Sequence, residues 1–140
     1  MATHLSIALA GSGLIYYWFK DVFLALSFFA GSIVIDLDHF IDYFLYYGFR
    51  FNLRRFLSLE CLLSGKVYIV LHSWELVFFL VAVSAVFDLS YLFFFSLAMA
   101  VHLSFDTIHR IRPLFYFLIY RACHKFDAHF LCPECLERLI

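Results

Sequence analysis

The sequence predicts an all-α integral membrane bundle of four transmembrane helices with a short C-terminal tail, and three observations carry that expectation. Of 140 residues, 65% are hydrophobic, 22% aromatic and only 15% charged, where a soluble domain carries about 25% charged residues, and the mean hydropathy is +0.91. The apolar residues form continuous runs rather than alternating ones, which argues against strands. These runs are rich in Leu, Ala, Phe and Tyr and lack internal Pro, as suits helices that satisfy their backbone groups within one segment.

The apolar runs cover residues 5–19, 22–47, 67–87 and 89–109. Each span needs about 20 residues, so little chain remains for a soluble domain. The first run lacks a basic leading region and feeds another apolar run, which predicts a retained helix rather than a cleaved signal peptide. Small residues in "AGSG" (10–13) and "AGS" (30–32) predict close packing of the first two helices. Between the second and third spans, "RFNLRRFLSLECLL" alternates basic and apolar residues and predicts a short interfacial helix, with Cys61 as a packing residue. After the fourth span, "LFYFLIY" is too short to cross.

Arg50, Arg54, Arg55, Lys66, Arg110 and Arg112 then fall on one side of the membrane, and Lys20 alone marks the short turns of the other. The positive-inside rule puts both termini on the cytoplasmic face of an inner, cytoplasmic membrane. Residues 1–112 form the predicted four-helix domain and 113–140 an interfacial or cytoplasmic tail. The net charge of −1 gives no reason to expect a nucleic-acid partner.

Threading the spans up and down brings the ionisable residues of the apolar runs to one depth. His4 starts the first helix; Asp36, Asp38, His39 and Asp42 lie in the cytoplasmic half of the second; His72 lies in the third; His102 and Asp106 close the fourth. Burying Asp in a bilayer costs roughly 2.5–3.5 kcal/mol on insertion scales, so a shared layer needs something to offset it. Asp36 and His39 are three apart and His102 and Asp106 four apart, so each pair shares a helix face.

Neutral imidazoles and carboxylates suit one or two divalent ions, with zinc expected first and manganese or iron as alternatives. The expected ligands are His4, Asp36, Asp38, His39, His72, His102 and Asp106, with Asp38 or Asp36 bridging two ions. Asp42, a turn nearer the headgroups, is expected to accept a hydrogen bond or meet solvent. His109 reads as an interfacial residue. Glu75, three residues after His72, is a candidate general base or an orienting group.

The order of His4, "DLDH" (36–39), "HS" (72–73) and "HLSFD" (102–106) resembles the membrane-bound metal-dependent hydrolases typified by the YdjM-like inner-membrane proteins, over roughly residues 1–110. The resemblance implies the same seven metal residues and a hydrolytic activity. The chain departs from that pattern at Ile35, where the family has Pro, and at "KVYIV" (66–70), where it has a His-Arg pair. Arg54, Arg55, Arg110 and Arg112 are the candidates for holding a phosphate in that pair's place.

A second cluster lies in "RACHKFDAHFLCPECLERLI". Cys132 and Cys135 are the close pair of half a structural zinc site on a tail whose cytoplasmic side disfavours disulfides, and a second pair is available from Cys123, His129 or His124; the alternative is an amphipathic tail in which the cysteines are small apolar residues.

The expected function is hydrolysis of an ester or phosphoester in a small molecule or a lipid, through metal-activated water acting as a phosphoesterase would. A metal-cation carrier or channel subunit and a non-haem di-iron oxidoreductase use similar residues. A carrier needs access from both faces, and a di-iron bundle ordinarily uses Glu with Glu-x-x-His.

Overall fold

The computed structural model describes residues 2–57, 65–108 and 113–131. They are helical apart from turns and one irregular segment, and a single isolated bridge, Lys66 to Asp127, is the one strand-like pairing among them.

Helix α1 (Ala2–Phe19) turns sharply into α2 (Val22–Val34). Lys20 takes the left-handed conformation (φ 54°), and the Asp21 carboxylate accepts from the amides of Phe23 (2.8 Å) and Leu24 (3.3 Å), capping two otherwise orphaned donors. After a 3-10 turn over Ile35–Leu37, α3 (Asp38–Tyr47) continues the rod until Gly48, at φ 68°, ends it. The short α4 (Leu53–Leu57) follows. Then comes an irregular segment over 65–73, α5 (Trp74–Val86), a turn through Asp88 and the long α6 (Ser90–Ile108). A 3-10 turn at Pro113–Tyr116, α7 (Leu118–Cys123) and α8 (Ala128–Leu131) complete the described chain.

Helix α2 packs between α1 and α6, and α6 carries α5 on its other side. Of the glycines predicted to allow close approach, Gly11 and Gly31 do so, while a Cβ on Gly13 would meet nothing within 4 Å. A Cβ on Gly31 would lie 2.2 Å from the Phe95 carbonyl oxygen, and one on Gly11 would lie 2.4 Å from the Phe28 ring. At Gly31 the obstacle is backbone, which cannot swing aside as a side chain can.

Two helices, not the four expected, are long and apolar enough to cross a membrane: Val22–Tyr47 and Ser90–Ile108. Helix α1 has 18 residues but is diluted by Thr3, His4, Ser6 and Ser12 and by aromatic residues at its end. Helix α5 has 13 residues, about 20 Å at 1.5 Å per residue, against a hydrocarbon core of about 30 Å. The expected third span began at residue 67, whereas residues 67–73 are not helical, because their backbone groups bond to side chains of other elements. Of the expected interfacial helix, α4 is the described part; Cys61 lies outside the described residues.

The large apolar side chains are divided between core and surface. Only 39% and 28% of the most apolar stretches of the two long helices is buried, and Trp18, Phe79 and Val86 are among the exposed side chains. The core itself crosses the expected boundary at 112/113: Phe115, Tyr116, Ala128 and Leu131 share one cluster with Ile35, Val67, Met99 and Leu103. The tail as far as Leu131 is therefore part of the bundle's packing, not a separate appendage.

Candidate metal centre

Each donor reaches the cluster for a local reason. His4 lies in the first turn of α1, and His102 and Asp106 are one turn apart near the end of α6. The 3-10 winding at 35–37 has 3.0 residues per turn and eclipses positions i and i+3. Asp36 and His39 thus share a side, while Asp38 between them turns into the protein. His72 sits on the irregular segment immediately before Ser73, the cap residue of α5.

Two imidazoles form the centre. His102 Nε2 lies 3.4 Å from Asp36 Oδ1 and 3.6 Å from Asp106 Oδ2. His72 Nε2 lies 3.6 Å and 3.7 Å from the same two oxygens. His4 Nε2 is 3.3 Å from Asp106 Oδ1, with its ring stacked 4.2 Å from that of His102, and His39 Nε2 is 4.0 Å from Asp36 Oδ1. All six of these N···O separations exceed the 2.7–3.2 Å of a good N–H···O bond. They fit donors around a shared ion, since ligands about 2.0–2.1 Å from zinc stand roughly 3.3 Å apart in a tetrahedron.

The donors fall into two sets, His4, His102 and Asp106, and Asp36, His39 and His72, within each of which the ligand atoms lie within 4.8 Å of one another. Asp36 and Asp106 each also face the inner imidazole of the other set, which is the placement a bridging carboxylate needs.

The hydrogen bonds behind the rings decide what the rings present. His102 Nδ1 is 3.2 Å from the Ser32 carbonyl oxygen, which can only accept, so Nδ1 carries the proton. His72 Nδ1 is 2.9 Å from Asp38 Oδ1, again an acceptor. Both rings then direct Nε2 towards Asp36 and Asp106. His72 Nε2 is buried and has no hydrogen-bond partner among the described residues, and the same holds for His4 Nδ1. A lone pair facing carboxylates in a buried place calls for a cation or a proton between them, and the His/Asp donor set is of the kind divalent metals take. His72 and His102 are 2% and 4% exposed, but the side chains of Asp36 and Asp106 retain 33% and 20% exposure, so the cluster opens on one side.

Several expected roles change. Asp38 is fully buried, and its two oxygens accept from the His72 amide (3.0 Å) and face the His72 ring. It stands behind His72, on which both oxygens are engaged, because the tight winding at 35–37 turns it away from the side of Asp36. Glu75 is likewise not in the cluster. Its carboxylate accepts from the amides of Leu118 (2.9 Å) and Ile119 (3.0 Å), tying α5 to the start of α7. Asp42 accepts from the Tyr68 amide (3.1 Å), which anchors the irregular segment to α3.

Among the expected phosphate-holding residues, Arg54 is exposed on α4; the Arg55 side chain, Arg110 and Arg112 lie outside what is described, as does His109. Of the expected zinc site in the tail, Cys123 and His129 are exposed and Cys132 and Cys135 lie outside the described residues. His124 points elsewhere, stacked 4.2 Å from Phe130 with Nδ1 2.8 Å from the Tyr120 carbonyl oxygen.

One residue escaped the sequence reading altogether. Arg121 is fully buried and donates through Nη1 to the Ile69 carbonyl (2.8 Å) and through Nη2 to the His72 carbonyl (3.1 Å). Burial pushes its guanidinium below the usual arginine range, while Asp38, Glu75 and Asp42 act in the opposite direction. The available signal is an arginine inside the apolar "LIYRAC".

No family model matches the chain, and no curated protein or solved structure matches it either. The protein is thus defined by its own geometry: an all-helical chain with two membrane-length helices and His/Asp groups that could hold a metal ion.

Proposed function

We propose that this chain is a membrane-embedded metal-dependent hydrolase that binds one or two divalent ions, zinc first, and cleaves an ester or phosphoester, in a small molecule or a lipid, at the cytoplasmic leaflet. The observation that carries the reading is the pair of buried imidazoles, each fixed through Nδ1, that present Nε2 to Asp36 and Asp106 at metal-ligand spacing. The resemblance of the motif order to that of the YdjM-like hydrolases points to the same reaction class, although no family model matches the chain.

His4, His102 and Asp106 would hold one ion and Asp36, His39 and His72 a second, with Asp38 orienting His72. A divalent ion there supplies a Lewis acid that lowers the pKa of water and neutralises charge developing on a phosphoryl or acyl oxygen. Asp36 and Asp106 stand on the open side, where a carboxylate oxygen can take the proton released by the attacking water. Arg54, Arg55, Arg110 and Arg112 are the candidates for receiving an anionic substrate group.

Placement in a membrane is supported by the two long apolar helices and by the exposed apolar side chains, which in water would form an unusually large patch. Helices α1 and α5 would complete a four-helix bundle. The irregular segment at 65–73 is compatible with membrane depth because Val67, Ile69, His72 and Ser73 are buried in protein and polar backbone groups of Tyr68, Ile69 and His72 find side-chain partners. A carrier is disfavoured by the other end of the bundle: residues 5–19, 22–34, 76–86 and 90–101 contain no Asp, Glu, Lys, Arg or His.

The test is metal analysis of protein purified in detergent without added metal, followed by hydrolysis assays on phosphoesters and lipid esters before and after chelation. One or two ions per chain, lost in His72→Ala and His102→Ala, and chelator-sensitive hydrolysis are expected. A correctly folded wild type free of metal overturns the metal reading; metal flux into proteoliposomes without hydrolysis replaces the enzyme with a carrier.

A further inference from the structure

We infer that Arg121 is a positioning residue of the metal centre: from the C-terminal segment it clamps the backbone that carries His72 and thereby sets the donor geometry of the Asp36, His39 and His72 set. The inference rests on reading the His/Asp cluster as a metal centre and adds the device that holds its weakest-supported ligand.

Among the donors, His72 stands on the least regular backbone. His4, His102 and Asp106 are carried by α-helix, and Asp36 and His39 by the rod from 22 to 47. Residues 67–73 have no helical or strand ladder, and Ile69 is held at φ 25°. A β-branched residue at positive φ stays there only where the surroundings over-determine it.

Those surroundings are two opposite charges. Asp38, from α3, takes the amide and ring of His72, and Arg121, from α7, takes the His72 carbonyl and that of Ile69. The His72 peptide is thus gripped at both its N–H and its C=O by fully buried side chains of separate elements. Arg121 is in turn placed by the tail. Glu75 holds the amides at the start of α7, the Val67 amide donates to the Phe126 carbonyl (3.0 Å), and the Lys66 ammonium donates to the Lys125 carbonyl (2.7 Å). The guanidinium fork matters because it reaches two carbonyls at once, which a lysine ammonium on a single stem does less well.

The experiment uses the full chain in detergent micelles, with Arg121→Lys and Arg121→Gln. Hydrogen exchange of metal-free protein is followed for peptides covering 65–73 and for α1, α2 and α6, and Co²⁺ binding is titrated separately. In Arg121→Gln, exchange should rise at 65–73 alone, and Co²⁺ affinity should fall by about 10–100-fold, the range for loss of an outer-shell partner. Arg121→Lys should recover part of both. Unchanged exchange at 65–73 overturns the clamp whether or not metal binds, and unchanged Co²⁺ affinity overturns its role in setting the ligand geometry. Exchange that rises equally in all helices means that Arg121 supports the fold generally, which also overturns the specific role. If the wild type takes up no Co²⁺, the metal reading fails, and with it the claim that the clamp sets ligand geometry, while the exchange result still reports whether the clamp exists.

Discussion

Asp38 acts on the cluster through His72. Its place in "DLDH" makes it look like a ligand, yet both oxygens are spent on His72. Asp38→Asn should keep the amide contact while weakening the pull on the ring proton, so that metal affinity falls by about 10–100-fold with the helical content unchanged. Competition titration with a metal indicator checks this; wild-type affinity would return Asp38 to a purely structural part. Glu75 is the contrasting case. Because it caps the start of α7, Glu75→Ala should lower thermal stability by an amount on the order of 1 kcal/mol while leaving metal content intact. A large loss of hydrolysis at full metal occupancy would instead restore it as the general base.

Among the elements, the contact of α2 with α6 is the one on which the centre depends most. Gly31 lets the helices approach until a Cβ would stand 2.2 Å from the Phe95 carbonyl oxygen, and the next residue, Ser32, supplies the carbonyl that fixes the His102 tautomer. Gly31→Ala must push the two helices apart, at a cost of about 1–3 kcal/mol, and should loosen metal binding as well as lower the melting temperature. Alanine tolerated with both quantities unchanged would mean that the helices are less closely packed than described. The 3-10 turn at 35–37 is the other decisive element, because its winding puts Asp36 and His39 on one side and sends Asp38 to the other.

For the whole molecule, the up-and-down threading of α1 and α2 puts Lys20 at the end of the bundle opposite His4, and the proposed topology puts Cys123 on the His4 side. In a chain whose only cysteine is Cys123, or only Lys20→Cys, a membrane-impermeant thiol reagent applied to intact cells should reach position 20 and spare Cys123. Labelling of Cys123 from outside would invert the topology. The tail as far as Leu131 belongs to the same core as α5 and α6, so the molecule is one packed unit across residue 112.

What the residues alone made legible was that the chain is helical and that six of its His and Asp residues come together. Long apolar runs predict helices because a buried backbone must satisfy itself, and the described chain is helical, although only two of the four expected spans are long and apolar enough to cross a membrane. Ionisable residues confined to one depth predict a shared site because burial of scattered charge is too costly, and His4, Asp36, His39, His72, His102 and Asp106 do meet. The tertiary structure decided the roles within that site. Spacing says which residues share a face, but not which neighbour claims each polar atom. Asp38 is taken by His72, Glu75 by α7, and the His72 backbone by Arg121, across separations of 34, 43 and 49 residues. Those pairings arise from competition among many donors and acceptors at close quarters, and only the folded chain resolves that competition.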